Sequence, residues 1–239
     1  MIIEYITMPN GRVVGREIVR ASFEEWLAHV FDHPPQKGQK DSWWWDEDAI
    51  DWNAPPSDTV AFLSRTFEES PAVLSAFTDE QIAEGLEYIS NMACSDIART
   101  LLDESVPRPM RKKAINSIQN LYSDCFAVRC NSLLSHLEKT LGPPLNGVCY
   151  MWWDVFPIVG QPEVAAHAEL DGECLAVMEF ALGLDSIACR ESALHGLGHW
   201  SGQYPDFVHR VIDRFIETNP DERPELITYA KKAREGSIQ

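Results

Sequence analysis

The sequence predicts an all-α fold with a small β element at its N-terminus. From Ser57 onward the apolar residues recur at helical spacing. The breaks between those runs are short and carry Pro or Gly: Pro107 and Pro109, Gly142-Pro143-Pro144, Gly160 with Pro162, and Pro220. Residues 2–20 differ, with β-branched runs on either side of an Asn-Gly pair.

Taken in order, Ile2, Ile3, Tyr5 and Ile6 precede Pro9-Asn10-Gly11, and Val13, Val14, Ile18 and Val19 follow it. That pattern predicts a hairpin, which must pack on something because a lone hairpin is marginal in water. Ser22-Phe23-Glu24-Glu25 reads as a capping box opening a helix to about His33, which Pro34-Pro35 ends. Residues 34–56 form a loop between two Pro-Pro pairs. It places Trp43, Trp44, Trp45 and Trp52 among Asp41, Asp46, Glu47, Asp48 and Asp51. Helices are then expected over 57–68, 71–77, 79–92, 95–104, 108–123, 126–141, 147–156, 163–182, 186–201, 205–218 and 223–235. Ser57, Thr78, Ser95, Asn146 and Ser186 sit near N-cap positions, and Pro71 and Pro205 lie close to first turns. Many short helices with tight links suit stacked helical hairpins better than a four-helix bundle. The basic end of the last helix, Lys231-Lys232-Ala233-Arg234, suits a helix C-terminus and a polar terminal cap. The expected organisation is an N-terminal unit, 1–56, packed on a helical array, 57–239.

Two stretches repeat one pattern, Met110-Arg111-Lys112-Lys113-Ala114-Ile115-Asn116-Ser117-Ile118-Gln119 and Cys189-Arg190-Glu191-Ser192-Ala193-Leu194-His195-Gly196-Leu197-Gly198. Each reads apolar-Arg-x-x-Ala-x-x-small-apolar, with small residues that let a neighbouring helix approach closely. The pattern resembles the buried face of the second helix in HEAT repeats, over about 105–125 and 185–200. The resemblance implies a HEAT/armadillo-like α-α superhelix with a repeat of roughly 40 residues. It also implies an interaction scaffold with no shared catalytic residues. Arg111 and Arg190 take the position of an arginine that pairs with an acid of an adjacent repeat; Asp185 is the expected partner of Arg190. Residues 142–170 fit the pattern poorly, so the array is expected to be irregular.

The chain carries 37 acidic and 20 basic residues, a formal net charge of −17. That balance argues against binding bare nucleic acid, whose phosphates need a basic surface, and would speed encounter with a basic protein. It equally serves plain solubility. The six cysteines form no C-x-x-C pair and read as reduced core residues. Without a visible signal peptide or membrane-length apolar run, the expected compartment is the cytoplasm.

Glu191, His195 and His199 form an i, i+4, i+8 stripe set apart from the core stripe, facing solvent or a covering helix. Two histidines at that spacing can share a metal ion, and zinc would accept them with one carboxylate. This is not the H-E-x-x-H arrangement. The same stripe also suits a partner-binding face. The tryptophan loop is a second binding candidate, because Trp43, Trp44, Trp45 and Trp52 cannot all enter one core. It serves either as an interface with a basic partner or as a lid or plug folded on the array. Tyr150–Pro157 reads as a buried hub, with Asp154 a nearby acceptor for the Trp152 and Trp153 indoles and an active-site carboxylate as the alternative role for Asp154. The cluster Arg108, Arg111, Lys112 and Lys113 reads as a solvated face or an anion contact. No nucleotide loop or nucleophile elbow is present. The leading expectation is a non-enzymatic, acidic protein-binding scaffold, such as an immunity-type inhibitor of a basic partner. The alternative is a metal-binding protein or metal-dependent hydrolase using Glu191, His195 and His199.

Overall fold

A computed structural model describes residues 2–7, 13–18, 21–35, 42–47, 49–137 and 142–238, the first two segments as backbone alone. Strands β1 (Ile2–Thr7) and β2 (Val13–Ile18) pair antiparallel, with Ile2 opposite Ile18 and Thr7 opposite Val13. The Asn10-Gly11 pair expected to form their turn lies outside the described residues.

The rest is helical. Helix α1 (Phe23–Phe31) opens on the capping box read from its sequence: Ser22 Oγ accepts from the Glu25 N–H at 3.1 Å, and Glu25 Oε2 from the Ser22 N–H at 2.6 Å. It buries Phe23, Trp26, Val30 and Phe31. There follow α2 (Pro56–Glu68), the single turn α3 (Ser70–Val73), α4 (Asp79–Ser90), α5 (Arg108–Leu121) and α6 (Ala127–Arg129). The chain continues through α7 (Pro144–Val155), α8 (Ala165–Leu182), α9 (Ile187–Trp200), α10 (Pro205–Thr218) and α11 (Pro224–Arg234). Proline stands at the first or second position of α2, α3, α5, α7, α10 and α11, where its missing N–H costs nothing.

Three expected helices are broken. The stretch 71–77 shrinks to the last part of one turn, and 95–104 becomes a 3-10 segment, Ala98–Leu102. In place of the expected helix 126–141 come the end of a π turn (Tyr122–Phe126), the short α6 and a 3-10 turn (Ser135–Leu137), with residues 138–141 outside the described residues. Tyr122, Cys125 and Phe126, at the i, i+3, i+4 spacing of an ordinary buried helical face, all enter the core, so the π turn interrupts the backbone ladder while keeping that face inward.

The helices pack in two rows. One runs α2, α5, α8; the other runs α1, α4, α7, α9, α11, with α8 against α9 joining them. Helices α2, α5 and α8 begin at residues 56, 108 and 165, so the stacking step exceeds fifty residues rather than forty. The irregular links on either side of α6 and before α5 make up the difference. The two motif copies lie in different rows. Ala114 and Ala193 are both buried. Yet α5 keeps a polar face, whereas α9 is buried on nearly every side. Among the described residues, no helix is long and apolar enough to cross a membrane.

Candidate functional site

Helix α9 is central, touching α7, α8, α10 and α11. Of the two placements open to the Glu191, His195 and His199 stripe, solvent or a covering helix, most of it takes the second. Glu191 is wholly buried, His195 is 2 % exposed, and His199 alone reaches the surface. The approach of α7 makes this possible. Gly196 faces Trp153, and a Cβ built there would stand 2.6 Å from Trp153 Cγ. That contact sets Tyr150 and Asp154, one turn apart on α7, against His195 and His199, one turn apart on α9.

Three ligand-type atoms converge. His199 Nε2 lies 3.1 Å from His195 Nε2 and 3.1 Å from Asp154 Oδ1, and all three atoms fall within 4.8 Å of one another. Two ligands of a tetrahedral zinc ion, each about 2.0–2.1 Å from the metal, stand about 3.3 Å apart. The two 3.1 Å separations at His199 are close to this value. Behind His195, its Nδ1 lies 2.6 Å from the Tyr229 hydroxyl, which lies 3.2 Å from the Tyr150 hydroxyl. A phenolic oxygen accepting the Nδ1 proton leaves the Nε2 lone pair aimed at the cluster. Burial, and secondarily the neighbouring His199, pulls the His195 pKa down to about 4, so the ring is neutral near pH 7. Burial likewise pushes the Tyr150 and Tyr229 hydroxyls up, keeping both protonated.

Glu191 does not join them, which corrects the expected ligand set. Its carboxylate accepts the Ser135 N–H at 2.8 Å and the His136 N–H at 3.0 Å, and meets His136 Nδ1 at 2.5 Å. It caps the Ser135–Leu137 turn, and the His136 ring stacks on Tyr229 with centroids 4.1 Å apart. Among the described residues, its hydrogen bonds are all with the Ser135–His136 turn and none is with His195 or His199. Asp154 takes its place. The sequence signal for Asp154 was its i, i+4 relation to Tyr150, which becomes informative once α7 is known to face α9. Asp154 is not the acceptor for Trp152 or Trp153; it meets His199.

The tryptophan loop splits. Trp43 is buried, its ring stacked on His33 at 3.7 Å, and Trp52 is half-buried, its indole N–H donating to Thr59 Oγ1 at 3.0 Å. These two pack on α1, α2 and α4 and do not act as free interface anchors. Trp44 is half-buried beside Tyr88. Trp45 stands 64 % exposed, near the exposed Ile50, Asp46, Glu47 and Asp51. Residues 36–41 and 48 of the loop, including the expected Asp41 and Asp48, lie outside the described residues.

Arg190 meets the expected Asp185 as a long, exposed ion pair and has a second, closer partner. Its Nη1 meets Glu222 at 2.5 Å, with both groups largely buried, while the fully exposed Asp185 lies 3.7 Å away. Compared with protein-family models, curated proteins and solved structures, the chain matches none of them.

Proposed function

We propose that this protein binds a single divalent transition-metal ion of the zinc class through Asp154, His195 and His199. One observation carries the reading. His199 Nε2 faces both an imidazole nitrogen and a carboxylate oxygen at 3.1 Å. A neutral imidazole nitrogen offers either one proton or one lone pair, so two linear hydrogen bonds are beyond it. A cation set among the three atoms satisfies all of them. Three protein ligands, with Asp154 and His199 both partly exposed, leave a coordination position open to water or a substrate group. That is the condition for metal-assisted hydrolysis.

The test is elemental analysis of tag-free protein, followed by zinc titration of the chelator-treated chain. One zinc per chain is expected, with loss of binding in His199→Ala and Asp154→Ala. Retention of full affinity in both variants, or no stoichiometric binding by the parent chain, overturns the proposal.

A second reading has its own support. The two rows of helices suit a HEAT-like α-solenoid carrying a small N-terminal hairpin, and such arrays serve as scaffolds. Trp45 and Ile50, 64 % and 78 % exposed amid acids on a chain of charge −17, suit a basic protein partner, as an immunity-type inhibitor would require. Pull-down at low and high salt tests it. A basic partner lost at high salt and lost in Trp45→Ser supports this reading; capture that ignores both changes refutes it.

A further inference from the structure

Of the basic run at the start of α5, for which a solvated face and an anion contact are both open, three members are paired at the surface. Arg108 Nη1 meets Glu169 at 3.0 Å, Lys112 meets Glu173 at 2.7 Å, and Lys113 meets Glu68 at 3.1 Å. Arg111 is different. It is 8 % exposed, its Nε is buried with no hydrogen-bond partner, and no carboxylate of the described residues stands at ion-pair distance. Its counterpart in the second motif copy, Arg190, shares the unpartnered Nε but has a counter-charge, Glu222, at 2.5 Å from its Nη1. A buried guanidinium without a counter-charge is costly, by several kcal/mol for an isolated ion. Asp103, whose carboxyl feels the Arg111 charge, is held by Ser105, whose N–H donates to Asp103 Oδ1 at 2.8 Å.

Arg111 lines a cleft of about 410 Å³ between the 102–107 link and the start of α8. Arg108 and His167 line it as well, with Leu102, Val106 and Leu170 as apolar wall and Glu104 at the margin. The first turn of α5 opens here with no side-chain cap and no acidic residue, so the positive end of a fourteen-residue helix is not offset by its own sequence.

We infer that this cleft is a phosphate-type oxyanion site, in which Arg111 and Arg108 clamp the phosphate group of a small molecule at the N-terminus of α5. The planar guanidinium of Arg111 supplies paired donors in the geometry an oxyanion accepts. Glu169 competes for Arg108, and Glu104 limits how much negative charge the cleft tolerates. The site draws on none of the metal-type residues of α7 and α9.

Isothermal titration of the full chain with inorganic phosphate tests it, at fixed ionic strength and with chelator present so that no metal centre contributes. Arg111→Gln is expected to weaken binding at least about tenfold, the loss of charge-assisted hydrogen bonds. If that variant fails to fold by circular dichroism, Arg108→Gln is read instead, with a several-fold loss expected. Glu169→Gln should tighten binding roughly threefold by freeing Arg108. His199→Ala should leave phosphate affinity unchanged, which separates this site from the proposed metal centre. Absence of binding at millimolar phosphate, or equal affinity in the parent and both arginine variants, overturns the inference.

Discussion

Replacing Gly196 by Ala tests the contact on which the candidate centre depends. A Cβ at this position would sit 2.6 Å from Trp153 Cγ, 2.7 Å from Cδ1 and 2.8 Å from Cβ. These atoms form the root of a buried side chain, so they yield only if α7 moves. Two terms oppose each other. A helix interior gains about 1 kcal/mol from Gly→Ala. Overpacking a close helix contact costs about 1–3 kcal/mol or more. The net expectation is a loss of about 1–2 kcal/mol, which for a chain of this size lowers Tm by roughly 2–8 °C. Gly172 on α8 is the control: no atom lies within 4 Å of its Cβ position, so Gly172→Ala should stabilise by up to about 1 kcal/mol. Urea denaturation measures both, with unchanged m-values as the check that native compactness is kept. Because Trp153 precedes Asp154, Gly196→Ala should also weaken zinc binding, while Gly172→Ala leaves it alone. A Gly196→Ala protein as stable as its parent would refute the close approach of α7 to α9.

Glu191→Gln should cost about 2–4 kcal/mol, since an amide NH2 would face the Ser135 and His136 N–H donors that the carboxylate now accepts. Chemical denaturation reads that loss. Glu222→Gln should destabilise by about 3 kcal/mol by stranding the largely buried Arg190, whereas Asp185→Asn should leave the denaturation midpoint unchanged. Burial pushes the Cys94 thiol up to about 11 and the Cys125 thiol up to about 12. Both therefore stay protonated near pH 8, and alkylation followed by mass spectrometry should find Cys125 unmodified until urea is added, with thiolate fraction depressed by roughly a thousandfold. Rapid native labelling of Cys125 would contradict that burial.

Local chemistry was legible where the signal is local. The Ser22–Glu25 box and the prolines at helix starts appear where the residues place them, and Ala114 and Ala193 lie in the interior. Long-range placement was not legible. Helical periodicity puts Glu191, His195 and His199 on one face, but which elements cover that face depends on α7, α11 and the turn at Ser135 arriving from elsewhere in the chain. The breaks in 95–104 and 126–141 escaped for a related reason. Apolar spacing there fits a helix, with Tyr122, Cys125 and Phe126 at i, i+3, i+4, and that period carries no mark of where the backbone ladder slips or stops. The tryptophan loop shows the same limit: composition says that Trp43, Trp44 and Trp45 must diverge, and only packing on His33 and Tyr88 decides which goes in.

The two arginines of the repeated motif make the energetic logic plain. Local sequence around Arg111 and Arg190 is alike, yet α9 carries its arginine to Glu222, in the link before α11, and α5 has no comparable acid. A buried positive charge is tolerated when a carboxylate answers it or when a ligand does. Glu191 illustrates the converse, a buried negative charge answered by two backbone N–H groups and a histidine. Among these α9 and α5 groups, Arg111 is the one whose counter-charge the fold does not supply at contact distance. His195 and His199 sit on the other side of that ledger as lone-pair donors that face each other. The Nε atoms of Arg111 and Arg190 both lack a hydrogen-bond partner, but Arg190 has a carboxylate at contact distance and Arg111 has none among the described residues; that place and the facing histidines are where an anion and a cation fit.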